Sequence, residues 1–169
     1  MNLLELSQKR FSVRKFTDEP VSEADLKYIL EVTRMAPSAV NKQLWKFVVV
    51  KSPEARKRLQ ECYAREWINS APLYIICMKA VDACWVRPQD GKSHGDIDVA
   101  IATEHLCLAA AERGLGSCWV CNYKVAKLAE LFARPGYEAI AVIPIGHIAP
   151  DCPMNEKKRK PLEEITETV

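Results

Sequence analysis

Three polar side chains near the start of the chain have the spacing of an anion site. Arg10, Ser12 and Arg14 occupy alternate positions, and alternate side chains of an extended segment lie on one side of it. Two guanidinium groups and a hydroxyl would then surround one volume, and phosphate is the ligand that best matches these donors. A solvated edge strand has the same spacing, so the pattern alone leaves both interpretations open.

Two further segments carry groups that could bind a ligand. Ser38, Asn41 and Gln43 lie in the turn-rich segment 37–44, and amide side chains can bind the edge of a heterocycle because each offers a donor and an acceptor. The alternative is a loop in which Asn41 sets the turn and Ser38 bonds the local backbone. The basic run at 157–160 could bind an anion or could simply be solvated.

Composition excludes several classes of protein. The chain has 169 residues, 24 lysines and arginines against 22 aspartates and glutamates, and a net charge of +2. This balance does not indicate a nucleic-acid binder, so any anion site must be local. No apolar run approaches the length of about 18 residues that a membrane span needs. Seven cysteines, mostly in apolar segments, are typical of a reduced compartment, and we predict a single cytoplasmic domain over 1–169.

The sequence gives little support for a metal site or a catalytic side-chain pair. Cys118 and Cys121 form a C-x-x-C motif, but in a strand these positions point to opposite faces. His94, His105 and His147 share no spacing typical of metal ligands. No nucleophile and base stand in an obvious pair. We therefore predict no metal and no catalytic protein side chain.

The patterning predicts helices and strands that alternate along the chain. Ser22 and Ser52 are predicted N-caps, and Pro53 suits the first position of a helix. The segments 80–95 and 147–169 are predicted to be a surface loop and a tail that wraps over a surface. A sheet with helices on both faces is the expected architecture. The predicted helices lie at 3–9, 23–35, from 53, 96–113 and 125–132, and the predicted strands at 45–51, 73–80, 116–121 and 138–146.

Two features of the region 96–116 constrain the architecture further. The G-x-G at 114–116 lacks a third glycine and follows a helix, which argues against a dinucleotide-binding Rossmann fold. The helix at 96–113 is apolar around most of its circumference. A monomer of this size rarely buries such a helix completely, so we expect a partner subunit to cover part of it.

Five motifs, in order along the chain, resemble the nitroreductase family of FMN-dependent oxidoreductases. The first two are RFSVRKF at 10–16 and APSAVNKQLW at 36–45. The third is D-x-x-x-A followed by LCLAAAERGLGS within 96–117, and the last two are IPIG at 143–146 and RKPLEE at 159–164. Together they span nearly the whole chain, which is why their order carries more weight than any single motif.

The resemblance implies an α+β fold, a three-layer α/β/α sandwich with a mixed, mostly antiparallel sheet. It also implies a homodimer with FMN at the subunit interface, where the tail at 147–169 reaches the partner. NAD(P)H would reduce the flavin at N5, and a flat electrophile such as a nitroaromatic or quinone would be reduced in turn. The alternatives are a module that binds or delivers FMN with little turnover, or a specialised flavin enzyme that acts on one metabolite.

The resemblance also assigns the cofactor-binding residues by position. Arg10, Ser12, Arg14 and Arg159 would hold the FMN phosphate, with Lys157 as an additional candidate. Leu115 and Gly116 would lie against the flavin ring. The loop of the other subunit would contact the flavin or the ribityl chain through Pro37, Ser38 and Asn41, assisted by Gln43.

The chain departs from the family pattern at two places. Leu44 stands where the family usually has proline, so we expect a less rigid loop. The chain is also short for the family. The residues that it lacks fall around 80–95, where relatives often carry extra helical structure over the flavin. The ring is therefore expected to be open, or covered only by Cys84, Trp85 and Arg87.

Overall fold

A four-stranded antiparallel sheet forms the centre of the computed structural model, which describes residues 1–154 and 156–169. The strand order is β1-β2-β4-β3, and every pairing between these strands is antiparallel. A parallel bridge between Ser12 and Ser117 extends the sheet edge. The strands are β1 (Trp45–Val50), β2 (Leu73–Ala80), β3 (Leu115–Ser117) and β4 (Tyr137–His147).

Helices cover both faces of the sheet because the central strands are apolar on both faces. Tyr74 and Ile76 of β2 face one hydrophobic core, and Ile75 and Cys77 face the other. The first core is closed by α3 and α5 and the second by α2 and α4. The predicted three-layer α+β architecture is therefore confirmed. The helices are α1 (Leu3–Lys9), α2 (Glu23–Arg34), α3 (Pro53–Gln60), α4 (Gly95–Glu112) and α5 (Val125–Phe132).

The predicted helix caps are present. Ser22 accepts a hydrogen bond from the amide of Asp25, and Ser52 accepts one from the amide of Ala55 with Pro53 at the start of α3. Gly114 follows the end of α4 with φ +76°, a left-handed conformation that glycine adopts without strain. These local signals determine where the helices begin and end.

One prediction about a strand is wrong in its extent. The segment 116–121 is not a continuous strand, because β3 ends at Ser117 and only a single bridge joins Val120 to Val142 afterwards. Cys118 is buried whereas Cys121 is exposed, and all seven thiols are free. Within the described residues, no three histidine, cysteine, aspartate or glutamate side chains form a group that could hold a metal ion.

Helix α4 is buried on the sheet side and partly uncovered on the other. Ala110 is fully buried against the sheet. Ile97 is 40% exposed, and Ala100, Ile101 and Leu108 are half-buried. These four residues, the α4 stripe, follow helical spacing and lie on one largely apolar face, which also carries Glu104. The expectation that the helix is buried on nearly all sides does not hold within this chain, although the uncovered face is where a partner was predicted.

The loop after β2 is less open than its sequence suggests. Cys84 is buried, and the rings of Trp85 and His94 pack edge to face with their centroids 4.8 Å apart. A bridge between Val86 and Ser93 closes the loop. None of the helices formed by residues 1–154 and 156–169 combines the length and apolarity of a membrane span.

Candidate functional site

The segment that carries Arg10, Ser12 and Arg14 runs along β3. The amide of Val13 donates to the carbonyl of Ser117 at 3.0 Å, and the Val13 side chain is 1% exposed. Arg10 and Ser12 are half-buried and Arg14 is exposed. Because side chains alternate along an extended segment, Val13 lies on the core side and the three polar residues lie away from it.

The three polar residues act on the ionisation of one thiol, that of Cys118. Burial raises the pKa of the Cys118 thiol, while Arg14, Ser12 and Arg10 act on it in the opposite direction. Their convergence on one ligand stays a prediction.

Helix α4 pairs with the Arg10 guanidinium through Glu104. Its Nε lies 3.5 Å from Oε1 of Glu104, and the Arg10 side chain is 17% exposed. In the part of the chain that the structure describes, the two Nη nitrogens of Arg10 have no hydrogen-bond partner. Because neither Nη group has a partner, the Arg10 guanidinium can donate hydrogen bonds from both of them to an anion.

Arg14 is oriented by an aromatic ring. Its Cζ atom lies 5.9 Å from the ring centroid of Trp67, within the range of a cation–π interaction. Trp67 packs edge to face on Tyr63, with ring centroids 5.6 Å apart. This pair could not be predicted from the sequence, because Trp67 lies in a short 3-10 helix (Glu66–Ser70) that no periodic pattern predicted.

Lys157 connects the tail to the end of α1. Its ammonium group donates to the carbonyl oxygens of Ser7, Gln8 and Arg10, which the last turn of a helix leaves without intrahelical partners. Burial lowers the pKa of Lys157, and the neighbouring charges of Arg10 and Arg159 lower it further. Arg10, Lys157 and Arg159 thus form one group of cations, the basic cluster.

The tail that supplies the basic cluster first packs on its own chain. The amide of Ala149 donates to the carbonyl of Lys15 at 3.2 Å, and Lys157 reaches α1 as described. Residues 160–169, which include a 3-10 turn at Leu162–Glu164, are exposed throughout. The first half of the tail therefore builds the site in the same chain, and its reach to a partner stays a prediction.

The loop that carries the second group of predicted residues has a strained backbone. Val40, Asn41 and Gln43 have φ values of +44°, +55° and +52°, which are unfavourable for residues other than glycine and most of all for β-branched valine. Pro37, just before this loop, is exposed. Conformations of this kind cluster at functional sites, where the surrounding structure holds them in place.

The polar side chains of this loop bond mainly to the loop itself. Ser38 Oγ accepts from the amide of Gln43 at 2.9 Å. The Gln43 side-chain amide donates to Oδ1 of Asn41 at 3.0 Å. The alternative in which Ser38 bonds the local backbone is thus part of the structure, and it leaves Asn41 Nδ2 and the exposed edge of the loop for a ligand.

Within one chain the loop and the basic cluster meet different parts of α4. The loop bonds Asp98 through the amide of Ala39, while Arg10 pairs with Glu104. These two residues are six positions apart on the helix, which is about 9 Å along the axis and about a third of a turn around it. In the described residues no hydrogen bond or ion pair joins the two groups, and their convergence on one ligand stays a prediction.

Leu115 and Gly116 lie in β3 rather than on an open surface. Leu115 is buried between the sheet and α4. A Cβ atom on Gly116 would lie 2.7 Å from Cγ2 of Val13, so glycine is needed here for the close packing of the segment 10–14 against the strand. Their predicted contact with a flavin ring is not tested by this geometry.

An apolar cavity of about 500 Å³ borders the segment 10–14. Arg10, Leu115 and Gly116 are among the residues that line it, whereas Ser12 and Arg14 are not. The cavity therefore borders Arg10 and β3, and it does not reach Ser12 or Arg14.

Glu104 and Trp119 are members of the site that the sequence did not reveal. Trp119 donates its indole N–H to Oε2 of Glu104 at 3.3 Å, so one carboxylate contacts both Arg10 and the segment after β3. The pairing of Glu104 with a residue 94 positions earlier leaves no trace in local periodicity.

Comparison with known proteins identifies the family. The nitroreductase family model matches residues 8–72 and 61–147. A crystal structure of a nitroreductase family protein from Clostridium difficile is 36% identical and superposes with a TM-score of 0.91, covering 99% of this chain and 98% of that one. The FMN reductase [NAD(P)H] of Bacillus subtilis is 26% identical over 89% of this chain and 65% of its own length. Human iodotyrosine deiodinase 1 is 26% identical over 98% of this chain and 68% of its own length. With a family model that covers most of the chain, this protein belongs to the nitroreductase family.

Proposed function

We propose that this protein binds FMN and uses NAD(P)H to reduce a flat electrophilic acceptor of the nitroaromatic or quinone type. The observation that carries the proposal is the basic cluster, in which two separate parts of the chain, the end of α1 and the tail, place cations near one another while the Nη groups of Arg10 have no partner. The relative from Bacillus subtilis named for FMN and NAD(P)H supports the same assignment.

The donor set fits a terminal phosphate. A phosphate monoester carries a charge of about −1.5 to −2 at pH 7 and offers three acceptor oxygens. Arg10, Lys157 and Arg159 face it with a single acidic neighbour, Glu104, which leaves an excess of positive charge. Ser12 and Arg14 lie on the same side of the segment 10–14 and extend the set of donors. These residues therefore match the terminal phosphate of a mononucleotide rather than the second nucleotide of a dinucleotide.

The protein contributes binding and orientation, and FMN when bound supplies hydride transfer through its N5 position. Arg10 and Arg159 would hold the phosphate by charge-assisted hydrogen bonds. Lys157 fixes the tail against α1 and adds positive charge. As predicted from the sequence alone, the proposal gives no protein side chain a catalytic proton transfer.

A homodimer would complete the site. The α4 stripe supplies an apolar face on a helix whose other side is fully packed, and such faces mark interaction surfaces. The strained loop at 38–43 lies on a different part of α4 from the basic cluster. We infer that Pro37, Ser38, Asn41 and Gln43 of one subunit contact the flavin or ribityl held by the cluster of the other. The seven free thiols support a cytoplasmic location.

The test combines the identity of the ligand with turnover. Protein purified and then incubated with FMN should retain a yellow flavin that, after release by denaturation, chromatographs as FMN. NADH or NADPH oxidation should then accelerate when a quinone is added, with ping-pong kinetics. Retention of FMN without an acceptor-dependent rate would favour a delivery module. Failure to take up any flavin would overturn the proposal.

A further inference from the structure

Glu104 contacts both Arg10 and Trp119 in the segment after β3. Its Oε1 lies 3.5 Å from Arg10 Nε, and its Oε2 accepts from Trp119 Nε1 at 3.3 Å. It also raises the pKa of Lys157, against the effect of the two arginines. Its side chain is 45% exposed, so burial does not force these contacts.

A carboxylate at this position requires an explanation. Like charges repel, and an acid beside the basic cluster opposes the binding of any anion there. The contacts of Glu104 indicate what it contributes to the site despite this repulsion. The closest approach of Glu104 to Arg10 is at Nε, 3.5 Å from Oε1, and no hydrogen bond of the described residues occupies either Nη group, so both stay available to a ligand. The opposite arrangement, a carboxylate bridging the two Nη groups, would block the site.

The contact with Trp119 extends the argument. Trp119 directly follows Cys118, and both belong to the segment that leaves β3 beside residues 10–14. Beyond Ser117 this segment has left the regular strand and has only one bridge, at Val120, to hold it to the sheet. The indole–carboxylate bond therefore ties a weakly paired segment to the same helix that holds Arg10.

We propose that Glu104 is a positioning residue for phosphate recognition: it orients Arg10 through Nε and fixes the segment after β3 through Trp119. This inference rests on the proposed function. Glu104 itself does not touch the phosphate, and its effect on binding passes through Arg10. If Glu104 instead acted only as a nearby negative charge, its neutralisation would strengthen the binding of phosphate.

Paired flavin titrations in two backgrounds test the proposal. Dissociation constants for FMN and for riboflavin, which lacks the phosphate, are measured by flavin fluorescence for wild type, Glu104→Gln, Arg10→Ala and the double variant. Glu104→Gln should weaken FMN binding about fivefold to tenfold and riboflavin binding less than twofold. In the Arg10→Ala background the same change should leave the preference for FMN unaltered, because two residues that act through one contact are not additive.

A matched control and the contrary outcomes complete the experiment. Glu112→Gln changes a glutamate on the same helix that accepts from Tyr28, and it should leave both constants unchanged. Stronger FMN binding by Glu104→Gln, or an equal loss in both backgrounds, would overturn the positioning role while leaving the proposed function intact. Wild-type protein that binds neither flavin would overturn the proposed function itself. Thermal melting of each variant confirms that the chain remains folded.

Discussion

Asp98 holds the backbone of Ala39 from the first turn of α4. The amide of Ala39 donates to Oδ1 of Asp98 at 2.9 Å, and Asp98 is one of few charged side chains buried in the described structure. The bond crosses 59 positions of sequence and ends inside the loop with three left-handed residues. A buried carboxylate thus fixes the conformation of a strained loop.

Replacement of Asp98 should release this loop. Asp98→Ala leaves the Ala39 amide without its partner, and the free energy of unfolding should fall by about 1 to 3 kcal/mol. Asp98→Asn retains an acceptor oxygen and should lose less. Urea denaturation of both variants measures the difference. Equal losses for the two would show that packing, rather than the hydrogen bond, accounts for the effect.

Val40 should carry a measurable part of the loop strain. Because glycine adopts a positive φ without a Cβ clash, Val40→Gly should raise the unfolding free energy by about 1 kcal/mol. Val125, which is 67% exposed against 69% for Val40, provides the control, and Val125→Gly at the start of α5 should not stabilise. Thermal denaturation compares them. Destabilisation by Val40→Gly would mean that the valine side chain makes contacts worth more than the strain.

Arg159 should discriminate FMN from riboflavin. A hydrogen bond to a charged group contributes about 1.5 to 3 kcal/mol, so Arg159→Ala should weaken FMN binding roughly tenfold to a hundredfold. Riboflavin affinity should hardly change. Lys160, a nearby exposed cation paired with Glu164, is the control, and Lys160→Ala should affect neither flavin. Equal losses for both flavins would assign Arg159 to the fold or the dimer.

The titration of Lys157 should make FMN binding weaker at alkaline pH. Burial and then Arg10 and Arg159 lower the pKa of Lys157 below the ordinary value of 10.5, and a bound phosphate would raise it again. Binding therefore takes up a proton once the pH exceeds the lowered pKa of the free protein, and FMN affinity falls as the pH rises through it.

Titrations between about pH 7 and the ordinary lysine value test this dependence, because the phosphate is already fully charged over that range. Riboflavin should show no corresponding fall. Lys157→Arg keeps the positive charge throughout and should remove the pH dependence from FMN binding. An unchanged profile in that variant would place the titrating group elsewhere.

The α4 stripe should be the dimer interface. Leu108→Glu places a charge on its apolar face, and we expect monomers that also lose FMN. Sedimentation velocity and flavin content measure both effects. Val81, which is 48% exposed outside α4, is the control, and Val81→Glu should remain dimeric. A wild-type monomer that retains FMN at micromolar concentration would refute the shared site.

Local sequence determined the elements and indicated much of the proposed phosphate site. Ser22, Ser52 and Gly114 end or begin helices through bonds and dihedral angles that involve only their neighbours, so periodicity and capping rules were sufficient. The alternation of Arg10, Ser12 and Arg14 placed three donors on one side of an extended segment for the same reason. The family itself followed from the order of five motifs.

Tertiary structure decided what holds these donors in place. Glu104 lies 94 positions from Arg10 in the sequence, Asp98 lies 59 from Ala39, and Lys157 closes a helix 150 positions away. The early end of β3 at Ser117 also depends on its pairing with β4. A side chain's type and spacing specify which bonds it can make, but the partner is set by the packing of α4, the sheet edge and the tail, which no local pattern encodes.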